Sequence, residues 1–194
     1  MNLPNKLTML RIILVPFFVL FMSIGASAVN LFIALVIFIV ASLTDMLDGK
    51  IARKYGLVTN FGKLMDPLAD KVLVMSAMLC FVSAGLAPAW IVIVILTREF
   101  LVTSLRLIAV GEGVVIAADK WGKIKTVTQM LWIIWTLLWL CVIGFGAFNG
   151  SADHSLAVWG YILSDALMYA SAFFTLLSGF NYVYKNRQLM FSDM

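Results

Sequence analysis

Between residues 45 and 70, four aspartates and three small residues recur at helical spacing. Asp45, Asp48, Gly49 and Ala52 stand at i, i+3, i+4 and i+7, which sets two carboxylates and two small residues on one helix face. Gly62, Asp66 and Asp70 follow at intervals of four and share a face of the next helix. Antiparallel helices joined by a short connection pack side by side, so the two faces can meet and the four acids converge. Carboxylates crowded in a low-dielectric setting repel one another unless cations neutralise them. Hard oxygen donors with no Cys or His among them favour Mg²⁺, Mn²⁺ or Ca²⁺ over zinc. Paired ions of that kind stabilise both the attacking and the leaving oxygen in phosphoryl transfer. Gly49, Ala52 and Gly62, lacking bulk, leave a wall where a flat base or a phosphate can approach the backbone. Each acid taken singly also reads as a helix-end charge paired with Lys50, Arg53, Lys54, Lys63 or Lys71. Asp66 before Pro67 reads equally as an N-cap with proline at the first helical position, which would start the third helix late. The joint pattern, in which ionisable groups fall inside apolar segments, argues for function.

The segments that carry these residues are those of a membrane protein. Of 194 residues 63% are hydrophobic and 12% charged, well away from the composition of a soluble domain. Six stretches have the roughly 20 apolar residues that a transmembrane helix needs: about 8–28, 30–54, 62–85, 88–110, 122–146 and 156–182. The expectation is an all-α polytopic membrane protein of six helices, a single domain over residues 1–194, with no internal repeat. Lys6, Arg11 and the apolar run ending at Ala26-Ser27-Ala28 have signal-peptide features, but the run is long enough to span and five more follow, so it reads as the first span.

The fourteen Lys and Arg residues orient this arrangement. Lys6 and Arg11 lie near the start, and Lys50, Arg53, Lys54, Lys63 and Lys71 surround the connection between helices two and three. Arg106, Lys120, Lys123 and Lys125 flank that between four and five, and Lys185 and Arg187 follow helix six. The connections near Ser27, Ser83 and Asn149 hold no Lys or Arg, and Arg98 lies inside helix four. Positive charge concentrates on the cytoplasmic side of membrane proteins, so both termini and the acidic cluster are expected to face the cytoplasm, as in a bacterial inner membrane. The net charge of +4 is juxtamembrane and accompanies no nucleic-acid-binding motif; anionic lipid or a phosphorylated substrate explains it instead.

The pattern D-x2-D-G-x2-A-R-x8-G-x3-D-x3-D, complete from Asp45 to Asp70, resembles the signature of the CDP-alcohol phosphatidyltransferase family. The segments Asn2 to Arg11, Thr97-Arg98-Glu99 with Leu105-Arg106, and Ala117 to Thr126 extend the similarity to those members whose acceptor is glycerol 3-phosphate. The resemblance implies that Asp45, Asp48, Asp66 and Asp70 hold two divalent ions, usually Mg²⁺ with Mn²⁺ possible, on the pyrophosphate of CDP-diacylglycerol, and that Asp70 is also the general base. It places Gly49, Ala52 and Gly62 at the cytidine, Asp48 near the nucleotide and Arg53 near the phosphates, and it implies a homodimer. An acceptor that bears phosphate calls for Arg or Lys donors, and Arg11, Arg98, Arg106, Lys123 and Lys125 are the candidates. Arg98 has a rival role as the partner of the adjacent Glu99, and Lys123 and Lys125 as topological charges. Other acceptors (serine, inositol phosphate, phosphatidylglycerol) would use the same chemistry. An ion transporter fits less well, because its acids would sit near the midplane at a repeat interface.

Several residues are expected to stay outside the chemistry. Cys80 and Cys141 read as inert packing and His154 as a solvated loop residue. Thr8 reads as a cap of the first helix. Trp132, Trp135 and Trp139, at i, i+3 and i+7, read as a stripe facing lipid or a second subunit.

Overall fold

A computed structural model describes residues 2–25, 27–55, 60–111, 120–148, 154–185 and 187, with side chains at all of these except 3, 4, 46–55, 60, 61, 63, 64, 67, 110, 111, 147, 148, 154 and 156. Six helices account for nearly all of it: α1 Leu3–Ser23, α2 Ala28–Tyr55, α3 Asn60–Ser83, α4 Ala89–Gly111, α5 Lys120–Phe148 and α6 His154–Lys185. There is no strand among the described residues, as the apolar runs without alternation require. His154, expected in a loop, is instead the first residue of α6.

Helix α1 packs on α2 and α3, α2 also on α5, α5 on α6 and α6 on α4. The core is built by aromatic pairs between these layers: Phe18 of α1 meets Phe38 of α2 with ring centroids 5.8 Å apart, and Phe81 of α3 meets Trp132 of α5 edge-on at 5.7 Å. Small residues set the closest approaches, since a Cβ added to Gly144 of α5 would stand 3.1 Å from the Cα of Ala28 in α2. Outward faces carry large apolar side chains such as Phe17, Ile93, Leu107, Trp159, Phe173 and Phe180, the surface that hydrocarbon solvates. Cys80 and Cys141 are unpaired and pack in or against the core.

The tryptophan stripe departs from expectation. Trp132 is fully buried inside the bundle rather than turned to lipid or a second subunit. Trp135 and Trp139 stack on each other at 5.7 Å and bond to α6 of the same chain, through Trp135 Nε1 to the Gly160 carbonyl and Trp139 Nε1 to the Ala157 carbonyl.

Among the described residues four helices are long and apolar enough to cross a membrane, over Asn5–Ser23, Ala28–Asp45, Lys120–Gly146 and Ala157–Lys185. The other two, α3 and α4, have the length but carry Asp66, Asp70 and Lys71, and Arg98, Glu99 and Arg106. Those six charged residues belong to the site described next.

Candidate active site

Helix α1 begins at Leu3, with Asn2 as an N-cap that makes no side-chain capping bond and Pro4 in the first turn. Thr8 therefore lies inside the helix and does not cap it, contrary to the sequence reading. Asn5, Thr8 and Arg11, three residues apart, form one buried face at 8%, 0% and 0% exposure. The Thr8 hydroxyl donates to Asp66 Oδ1 at 2.5 Å, and Arg11 Nη1 donates to Asp45 Oδ1 at 2.6 Å. One helix thus ties down an acid from each of the other two.

On α3, Gly62 is buried while Asp66 and Asp70 are half-buried. The helix begins at Asn60 and continues through Pro67, so the spacing of four from Gly62 to Asp70 is preserved. The alternative late start at Pro67 does not occur. Asp48, Gly49, Ala52 and Arg53 occupy the last turns of α2, and their side chains lie outside the described residues. Among the described residues no three acids form a ready-made ligand cluster, and Asp66 and Asp45 bond to Thr8 and Arg11. The Asp70 carboxylate nevertheless lies within electrostatic reach of Asp45, Arg11, Lys71 and Glu99.

Asp70 also opens onto an open cleft of about 470 Å³ formed with α4 and α5. Lys71, Arg98, Arg106 and Lys123 line it against two acids, Asp70 and Glu99, which leaves a surplus of positive charge beside the carboxylate. Arg106 and Lys123 are exposed, and Arg106 lies over the Tyr182 ring of α6 at 5.7 Å. Arg98 is set deeper: Nη1 donates to Glu99 Oε1 at 2.9 Å and Nη2 to Ser178 Oγ at 2.5 Å. Lys125 is buried, ion-paired with Glu99, and faces a separate, smaller cavity of about 60 Å³ that it shares with Asp70.

Three of the five basic residues singled out in the sequence, Arg98, Arg106 and Lys123, thus meet in one cleft with Asp70. Arg98 also has the adjacent Glu99 as the partner its rival role called for, and the other two lie outside the cleft on acids, Arg11 with Asp45 and Lys125 with Glu99. The sequence reading missed Glu99 as a centre in its own right, together with Ser178 and Tyr182 from α6. Adjacency of Glu99 to Arg98 was the one signal available, whereas Ser178 lies 80 residues from Arg98 and carries no spacing signature.

A carboxylate on the wall of a cation-rich cleft, next to further acids at the same end of a helical membrane bundle, is an arrangement that can accept a proton from a bound anionic alcohol. A profile of the family described as CDP-alcohol phosphatidyltransferase matches residues 1–179, and the chain belongs to that family. Among its relatives, a CDP-diacylglycerol–glycerol-3-phosphate 3-phosphatidyltransferase of Bacillus subtilis is 41% identical across 95% of both chains. Proteins of the same name from Rickettsia typhi and Haemophilus influenzae are 35% identical over 93% of this chain and 94% of theirs, and 41% identical over 71% and 76%.

Proposed function

We propose that this protein transfers the phosphatidyl group of CDP-diacylglycerol to glycerol 3-phosphate, releasing CMP and forming phosphatidylglycerophosphate. The observation that carries the reading is the shared cleft: Asp70, last acid of the family motif, lines it together with Arg98, Arg106 and Lys123. An acceptor that joins a hydroxyl to a phosphate needs a base and a cationic pocket within one small volume. The names of the relatives support the choice of acceptor.

The chain's own groups divide the work. Arg106 and Lys123 at the exposed mouth receive the acceptor phosphate, with Arg98 behind them. Asp70 takes the proton of the acceptor hydroxyl as its oxygen bonds to the phosphorus bearing diacylglycerol. The bond from that phosphorus to the CMP oxygen breaks, and no covalent enzyme intermediate is needed. Gly49, Ala52 and Gly62 leave room for the cytidine, with Asp48 and Arg53 beside the nucleotide and its phosphates. The all-oxygen set of Asp45, Asp48, Asp66 and Asp70 fits hard divalent cations, two Mg²⁺ or Mn²⁺, and Asp45, Asp66 and Asp70 lie at one end of the bundle. Such ions, when bound, neutralise the pyrophosphate and stabilise the departing CMP oxygen. The reading places six spans in the inner membrane, both termini and the cleft toward the cytoplasm, and two copies per functional unit.

The test is CMP release by the purified protein in Mg²⁺ with CDP-diacylglycerol and a panel of alcohols. Glycerol 3-phosphate should support release, and Asp70→Asn should lower it by at least ~10²-fold, the scale of general-base catalysis. Release with serine or inositol phosphate in place of glycerol 3-phosphate rejects the acceptor, and inactivity with every alcohol rejects the chemistry.

A further inference from the structure

One basic residue of the cleft wall, Arg98, is held by a residue that does not itself bear positive charge. Arg98 comes from α4, Lys125 from α5 and Ser178 from α6, yet their side chains meet around Glu99 and its neighbour. A single oxygen, Glu99 Oε1, accepts from Arg98 Nη1 at 2.9 Å and from Lys125 Nζ. The Arg98, Glu99 and Lys125 side chains are only 13%, 19% and 4% exposed, so water competes little for these bonds. Ser178, itself fully buried, takes Arg98 Nη2 on the other side. The stem of Arg98 runs over Gly179, where an added Cβ would stand 2.9 Å from Arg98 Cγ. Two helices, α4 and α6, therefore hold the guanidinium directly, and α5 bears on it through Lys125 and Glu99.

The geometry points to Glu99 as a positioning residue for the acceptor phosphate, a role that rests on the transfer proposed above. A long basic side chain that is free in solution loses rotamer freedom when a ligand captures it, and that loss weakens binding. Glu99 removes the cost beforehand by locking Arg98 against Ser178 and by keeping Lys125 in the adjoining cavity, away from the cleft. It does so at an electrostatic disadvantage, since its own negative charge faces the same cleft that receives a phosphate. The two effects oppose each other, and this opposition makes the role testable.

The Glu99→Gln variant deletes the anion and leaves a near-isosteric side chain. If Glu99 mattered only through its charge, the cleft would become more positive and the KM for glycerol 3-phosphate would fall. If Glu99 positions Arg98, that KM rises by about tenfold, the upper end of what fixing one rotamer-rich side chain is worth. In that case kcat and the KM for CDP-diacylglycerol stay within about twofold, the pattern of lost uniform binding at one subsite. Gly179→Ala shifts the Arg98 stem with Glu99 and the net charge unchanged, and an acceptor KM that it leaves unmoved also overturns the inference. Alanine is otherwise favoured over glycine in a helix, so a raised acceptor KM would report the displaced Arg98 stem. Both variants are to be compared with wild type for melting temperature in detergent, because a merely structural role would lower stability and leave the KM for glycerol 3-phosphate unmoved. An unchanged or lowered acceptor KM in Glu99→Gln, with wild type active, overturns this inference alone. Wild type that releases no CMP with glycerol 3-phosphate overturns the proposed reaction and this inference together.

Discussion

Arg11 is wholly buried on α1, and its partner Asp45 keeps a 42% exposed side chain. Removing one member of a buried charge pair leaves the other uncompensated, but water at Asp45 softens that penalty. Arg11→Met keeps most of the side-chain length and loses the charge. It should destabilise the protein by roughly 1.5–3 kcal/mol, the worth of a hydrogen bond to a charged group. Chemical or thermal unfolding in detergent measures it, and adding Asp45→Asn should recover part of the loss, because the two sites are directly coupled. An additive double variant would mean that the pair contributes nothing. At this scale the sequence revealed the acids and not their partners. Asp45, Asp66 and Asp70 were legible because helical spacing repeats, whereas the Arg11–Asp45 pair spans 34 residues and the Thr8–Asp66 bond 58. Thr8 was misread for a related reason. Hydropathy begins near residue 8, but the helix begins at Leu3, since its first turns are polar where they meet the acids.

At the level of helices, α5 and α6 are joined by an aromatic side chain set into a glycine slot. A Cβ built on Gly160 would fall 1.7–2.2 Å from atoms of the Trp139 indole, a rigid ring that cannot swing its end aside. Trp135 closes the arrangement by donating to the Gly160 carbonyl at 3.1 Å. Gly160→Ala should therefore force the helices apart and destabilise by about 1–3 kcal/mol, the usual scale of overpacking, despite alanine's better helix propensity. Combining it with Trp139→Leu should restore part of that loss in the same unfolding assay, and a Gly160→Ala protein as stable as wild type would show that the slot is not tight. The positions of α2 to α6 were legible within about three residues because apolar runs of spanning length leave little freedom, whereas α1, expected at about 8–28, lies five residues earlier at both ends. Which face of α5 is buried was not: in a bilayer both the core and the lipid-facing side are apolar, so the Trp132, Trp135 and Trp139 stripe carries no sign of direction. Pro67 left two readings open for a different reason. Proline is welcome in a first helical turn and costly inside a helix, where the donor is lost and the ring crowds the carbonyl four residues back, yet α3 runs through Pro67, which the sequence does not foretell.

For the molecule as a whole, the ion pairs and the hydrogen bonds of Thr8, Arg11 and Arg98 gather toward one end of the bundle: the start of α1, α3 and α5, the end of α2 and α6, and the middle of α4. The opposite end turns at Gly25 and Gly85, whose φ of 134° and 71° suit glycine, and among the described residues no Lys or Arg lies there. Helices α3 and α4, with 24 and 23 residues, reach about 35 Å at 1.5 Å per residue, enough for a hydrocarbon core of ~30 Å. Two of their acids have polar partners, Asp66 in Thr8 and Glu99 in Arg98 and Lys125, and each helix presents buried apolar residues such as Leu73, Phe81, Ile91 and Ile95 to the bundle. Both helices should therefore cross the membrane although their composition alone falls short. The consequence can be read in intact cells with a membrane-impermeant maleimide, on a background in which Cys80 and Cys141 are replaced. A cysteine at exposed Ala84, in the turn after α3, should be labelled from outside, and one at exposed Lys185 only after permeabilisation. If α3 and α4 do not span, the Ala84 position stays on the same side as Lys185 and neither is labelled. Labelling at Lys185 alone would invert the molecule and place the cleft outside the cell, away from a cytoplasmic supply of its two phosphorylated substrates.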